Sequence, residues 1–148
     1  MRGARAAQVL SENEPMGLFS RANDDGRGTY NNYRYDLLPK NKRVTITLAG
    51  SDAFQDEIAR IAEAGHDRVE TFISKRTIEE ERTDAPLAVR FFVDSRMSQL
   101  VGYAPRGLEP IVLETLSRLE GGRITRIPAR ITQSGGRWRV ELMMGETL

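Results

Sequence analysis

The stretch LVGYAPRGLEP, Leu100 to Pro110, constrains the fold more than any other. It reads as a strand that stops on a tyrosine, turns at once and opens a helix. Pro105 has no N–H to give a strand ladder, so pairing ends there. Arg106 and Gly107 make the turn. Pro110 suits a first helical turn, where a missing N–H costs nothing. Leu108, Val112, Leu116 and Leu119 then recur at helical spacing, so the helix is expected to lie on a sheet. Gly102, inside the strand, marks a bulge or a close approach of another backbone.

The rest of the chain supplies that sheet. VTITLAG alternates Val44, Ile46 and Leu48, as a half-buried strand does. SDAFQDEIARIAEAG predicts a helix, with Asp52 and Gln55 spaced as a capping box and Gly65 at its C-terminal end. Phe54, Ile58, Ile61 and Ala62 share one face of it. RVETFISKRT is a second strand, and IEEERTDAP reads as a charged, solvated break. LAVRFFVD is a third strand with apolar residues on both sides, the mark of a central or tightly curled position. DSRMSQ turns the chain into the fourth strand, LVGYA. ITRIPARITQ and RWRVELMM form a hairpin about Ser134-Gly135-Gly136. The order β-α-β-β-β-α-β-β predicts a mainly β (α+β) fold, a small curled antiparallel barrel of the OB or SH3 kind with two helices.

Residues 1–42 have no apolar period and read as a flexible or partly ordered tail, leaving 43–145 as the barrel domain. Met16 is read as an internal start, with the first fifteen residues an upstream extension. Tyr30, Tyr33 and Tyr35, interleaved with Arg34, carry two readings: stacking on bases, or folding back with Leu37 and Leu38 onto the domain.

Composition excludes several chemistries. The 148 residues include no cysteine, which removes disulfides and thiolate metal sites, and one histidine, His66, which removes any His pair. His66 follows a helix-ending glycine and is expected to stabilise that end rather than act as a base. Glu79, Glu80 and Glu81 are adjacent like charges without the spacing of a metal loop. No glycine loop has the context of a phosphate cradle. The expectation is a cytoplasmic, non-catalytic domain with no metal or cofactor and no membrane segment. Net charge is +1, with residues 1–43 at +3 and the remainder at −2, so a protein coated in basic charge is not in view.

DAPLAVRFFVD, a turn, LVGYAPRG and an apolar helix together resemble the HIRAN domain, of the stand-alone bacterial type. The family pattern is an NPYDxNAV turn and strand followed by VGYLPRE and a helix. The resemblance spans roughly Val44 to Met144, and its specific part lies in Asp84–Gly107. Val101, Gly102, Tyr103, Pro105 and Arg106 match the second motif. It implies a modified OB-like barrel and single-stranded DNA as ligand, since the domain binds the 3′ end of such strands in fork-remodelling helicases. The turn here reads EERTDAPLAV, without the family's asparagine and tyrosine, so recognition of the DNA end does not carry over.

The residues themselves suggest a groove for single strands, in which bases stack on aromatics beside positive charge. Lys75 and Arg76 end the second strand, and Arg90, Arg96 and Arg106 follow. Ile124, Arg126, Pro128 and Arg130 alternate onto one face, and Arg137 and Arg139 lie opposite Trp138 on theirs, giving an arginine stripe on the last hairpin. Tyr103 and Phe72 are the candidate stacking surfaces. The opposing reading of the stripe is a soluble strand surface paired with Glu141; that of Tyr103 and Trp138 is core packing. The alternative function is a protein-interaction module that adds a partner strand, or a second copy of the chain, to exposed strand edges.

Overall fold

The computed structural model describes residues 37–148. Residues 1–36, including Tyr30, Tyr33, Arg34 and Tyr35, lie outside the described residues. The described chain is mainly β. Six strands, β1 (Ile46–Thr47), β2 (Arg68–Phe72), β3 (Ala88–Val93), β4 (Arg96–Tyr103), β5 (Pro128–Ser134) and β6 (Arg137–Leu142), form one antiparallel sheet in the order β1-β6-β5-β2-β3-β4. The sheet curls until its ends meet. Ala49, just past β1, exchanges two backbone hydrogen bonds of 2.8 Å with Tyr103 of β4. No helix among the described residues is long and apolar enough to cross a membrane.

Alternation sets what faces inward. Val44, Ile46, Leu48, Val89, Phe91, Ala129, Ile131, Val140 and Leu142 are buried in one core with Val101. Two helices complete it. A 3-10 turn, Ser51–Phe54, leads into α1 (Gln55–Glu63), which buries Ile58 and Ile61 across β4 and β6. Gly65, at φ 98°, ends that helix, its N–H donating to Ala62 O. α3 (Glu109–Leu119) buries Ile111, Val112, Thr115 and Leu119. Its Arg118 donates to Thr147 O, tying it to a C-terminal 3-10 turn, Met144–Thr147. Packing reaches past residues 43–145 at both ends, since Leu37 packs on the core and Thr147 is buried.

Gly102 serves both purposes its place in the strand suggests. Pairing shifts register between Val89, opposite Gly102, and Arg90, opposite Leu100, so Val101 is an extra residue and β4 bends. A Cβ on Gly102 would meet Ser51 Oγ at 2.9 Å, Ala49 O at 3.0 Å and Leu48 Cβ at 3.1 Å. The glycine therefore lets the first strand approach the fourth and close the sheet.

Four local expectations are corrected. Asp52 and Gln55 form no capping box; Gly50 precedes the 3-10 turn and no side chain caps it. Gln55 instead brackets the backbone of Trp138, its Oε1 accepting from Trp138 N at 2.8 Å and its Nε2 donating to Trp138 O at 3.0 Å. The Glu79–Glu81 run is no loop. It forms a third, one-turn helix, α2 (Ile78–Arg82), with a capping box in which Thr77 Oγ1 accepts from Glu80 N and Glu80 accepts from Thr77 N. The turn before β4 is only Asp94-Ser95, both at positive φ (53° and 61°), the two-residue hairpin turn that matches strand twist. Finally β5 begins at Pro128 and β2 ends at Phe72, so Arg126 precedes a strand and Lys75 and Arg76 follow one.

Candidate nucleic-acid interface

β3 has a buried face and a half-buried one. Val89 and Phe91 enter the core, while Ala88, Arg90 and Phe92 face outward. Phe72 lies opposite Arg90 on β2, and Glu70 lies opposite Phe92. Beside Phe92 runs an open groove of about 470 Å3, lined by His66, Arg68, Glu70, Asp94, Ile124 and Arg126 among others. The Arg126 guanidinium sits 3.8 Å above the Phe92 ring, a cation–π contact, and reaches Glu70 at 4.0 Å. Ile124 is 47% exposed at the groove wall. Two aromatic rings alternating with two arginines thus share one outer surface.

Arg68, Arg76, Arg106, Arg130, Arg137 and Arg139 are held by acids, whereas Arg96, at the start of β4, is exposed. Arg130 does share an outward face with Arg137 and Arg139, because Arg130 pairs with Glu141 in register and Ser134 with Arg137. Arg130 Nη2 is 2.7 Å from Glu141 Oε1. Arg137 and Arg139 both bind Asp52 on the 3-10 turn, Arg139 at 3.0 Å. Burial pushes the Asp52 carboxyl up, but the hydrogen bond and charge of Arg139 and the charge of Arg137 outweigh it and hold the carboxyl below its ordinary range. Arg68 pairs with Glu146, and the Arg68 hydrogen bond holds that carboxyl low against a smaller burial effect. Arg130 and Arg137 keep about half their surface exposed, so the stripe is neutralised by partners without being buried.

Arg76 and Arg106 belong to a different cluster. Glu109, 7% exposed at the start of α3, receives Arg106 Nη1 at 2.9 Å, Arg76 Nη2 at 3.0 Å and Leu87 N at 3.3 Å. Asp84 lies 3.6 Å from Arg106 and 3.9 Å from Arg76. This explains the abrupt turn in LVGYAPRGLEP: Tyr103 closes the sheet, Leu108 N returns to Pro105 O at 3.0 Å, and Arg106 and Glu109 lock the strand–helix corner to the 84–87 segment. Tyr103 is half-buried, its ring edge-on to Phe54 at 6.0 Å, so its visible role is packing. Trp138 also packs against the core. Lys75 is exposed on the extension of β2. His66 reaches Asp94 at 3.8 Å, and its backbone N–H donates to Ile61 O at the helix end.

Of the expected contact residues, the structure brings Arg90 and Arg126 together with Phe72 on one face, places Arg130 and Arg137 on the neighbouring face of β5 and β6, and takes Arg76, Arg106 and Tyr103 into structural contacts. Phe92 is the residue sequence reasoning missed. Its signal was present, since an outward phenylalanine two residues from an arginine is unusual company for a solvated strand face.

The β4 edge is occupied from Gln99 to Tyr103. Gln99 N donates to Glu57 Oε2 at 3.0 Å, Val101 O accepts from Ser51 Oγ at 2.9 Å, and Tyr103 is bridged to Ala49. Among the described residues no group of three or more His, Cys, Asp or Glu is arranged to hold a metal. Fold and surface together define a small curled antiparallel barrel with an aromatic and arginine outer face. Comparison with protein-family models, with curated proteins and with solved structures yields no match.

Proposed function

We propose that this protein is a non-catalytic binding domain of HIRAN-like kind that takes single-stranded nucleic acid weakly on the outer face of β2, β3 and the approach to β5. The observation that carries the reading is Phe92 under the Arg126 guanidinium at 3.8 Å, beside a groove of about 470 Å3. Every base has a π-face, so a ring flanked by cations accepts single strands with little sequence preference. Phe72 and Arg90, one step along the same face, extend the surface. The match of Val101, Gly102, Tyr103, Pro105 and Arg106 to the family motif supports the same reading.

Weak binding follows from charge. His66, Arg68 and Arg126 face Glu70, Asp94 and Glu146 across the groove, so few phosphates are neutralised. With two or three such contacts, the slope of log affinity against log salt is about −1.5 to −2, far from that of a dedicated DNA-binding surface. A protein-interaction role through strand addition draws no support from β4, whose outward backbone groups are taken from Gln99 to Tyr103.

The test is fluorescence anisotropy with labelled single-stranded and duplex oligonucleotides at two salt concentrations. Single strands are expected to bind more tightly than duplex, and Phe92→Ala to weaken them about tenfold, the worth of one stacked base. Arg126→Ala weakens them too, while Arg130→Ala, whose guanidinium is already engaged by Glu141, changes little. No binding at about 100 μM protein, or unchanged affinity in Phe92→Ala, overturns the reading.

A further inference from the structure

β2 and β3 part before their shared register ends. They pair as far as Phe72 opposite Arg90; continuing would set Ser74 opposite Ala88, but no pairing occurs there. The gap is a cleft of about 220 Å3 with Phe72, Pro86 and Leu87 as apolar wall and Ser74, Arg76 and Arg90 as polar lining. Glu80 is the one acid lining it, and its carboxylate is engaged by Thr77 N in the α2 capping box.

Arg76 is the informative residue. Its side chain is only 15% exposed, and Glu109 holds its Nη2 at 3.0 Å, fixing where the guanidinium sits. Its Nε is buried and has no hydrogen-bond partner. A buried donor without an acceptor costs free energy, and in a folded protein such a group calls for an explanation. Arg90, on the same cleft, makes one hydrogen bond among the described residues, from Nη1 to Ser98 O, and at 3.4 Å it is long. Arg76, Arg90 and Ser74 therefore line one cleft with Phe72, Pro86 and Leu87, and the low exposure of Arg76 makes charge–charge attraction there stronger than at open surface.

We propose that this cleft binds a phosphate monoester. Arginine forks match phosphate oxygens in pairs, and a dianion with three terminal oxygens can use two guanidinium groups and a hydroxyl together, which a carboxylate with two oxygens does less fully. Glu109 acts as a positioning residue, holding Arg76 in place from behind. The cleft shares no lining residue with the Phe92 groove; Phe72 and Arg90 also lie at the end of the face proposed for single strands, so Phe92→Ala is the variant that tells the two apart.

Thermal unfolding of the intact chain in inorganic phosphate, against sodium chloride of equal ionic strength, tests it. With a Kd of about 1 mM, 20 mM phosphate raises Tm by about 5 °C. Arg76→Gln risks the fold through Glu109, so Arg90→Gln carries the test: it leaves the baseline Tm nearly unchanged and cuts the rise by more than half. Phe92→Ala leaves the rise intact. A nucleoside 5′-monophosphate distinguishes the source: a larger rise than with phosphate identifies a nucleotide leaning on Phe72, and an equal one identifies phosphate alone. No rise beyond the chloride control, or an undiminished rise in Arg90→Gln, overturns the proposal.

Discussion

Replacing Glu109 by alanine tests the account of the strand–helix corner most directly. Glu109 is 7% exposed, and its carboxylate receives two guanidinium groups and the Leu87 amide. Removing one partner of a buried ion pair costs about 3–5 kcal/mol, because the other charge stays desolvated. Arg106 is half exposed and recovers water, so its share is at most about 1 kcal/mol. Arg76, at 15% exposure, keeps only Asp84 at 3.9 Å, so the lower end applies, about 3 kcal/mol. That is a third or more of the stability of an ordinary domain of about 10 kcal/mol or less. Urea unfolding followed by Trp138, the single tryptophan, reads it, since that ring packs against the core. With a slope of about 2 kcal/mol per molar, the midpoint falls by about 1.5 M. Arg76→Met added to Glu109→Ala should restore part of the loss, because the stranded charge is then gone. A loss under about 1 kcal/mol, or strictly additive losses in the double variant, would show that Glu109 does not neutralise a desolvated Arg76.

Gly102→Ala pushes a Cβ against Ala49 O and Ser51 Oγ where the sheet closes; we expect a loss of about 1–3 kcal/mol in the same urea assay. Ser95→Gly relieves a left-handed residue at φ 61° in the two-residue turn and should raise Tm by about 2–4 °C in a thermal melt. Asp52, Glu57 and Glu146 have carboxyls held below their ordinary range by arginine partners, after burial is overcome at Asp52. Their unfolded forms therefore bind protons first as pH falls. The stability they contribute is present above about pH 4 and is lost as pH drops through the lower folded values. Tm measured from pH 6 to pH 2.5 should fall steeply below about pH 4, and Glu146→Gln should flatten that fall.

Much of the fold was legible in local pattern. Period-two alternation located Val44, Ile46 and Leu48, and Val89 and Phe91, on the buried side. Gly102 announced a bulge or a close approach, and the fold has both, because few other reasons place glycine inside an apolar strand. The Ser134-Gly135-Gly136 turn and the Pro110 helix start stand where their backbone preferences put them. Capping was misjudged where two local solutions compete. Asp52 and Gln55 have the right spacing, but each finds a partner on β6, more than eighty residues away, which no spacing rule can weigh. The site was less legible still. Arginine alternation placed a stripe on β5 and β6, yet whether each guanidinium faces solvent or an acid depends on which elements the curl brings alongside.

Backbone geometry and side-chain alternation are properties of neighbours in sequence, so residues alone located the strands, though not the ends of β2 and β5, along with two of the helices, the final hairpin and much of the inward set. Pairing of charges depends on distance in space, and only the closed sheet decided that. It sent Arg137 and Arg139 to Asp52, Arg130 to Glu141, and Arg76 and Arg106 to Glu109, and it left Arg126 over Phe92. A Coulomb partner a few ångströms away outweighs any pattern along the chain, which is why the cations that read alike in sequence have different work in the fold.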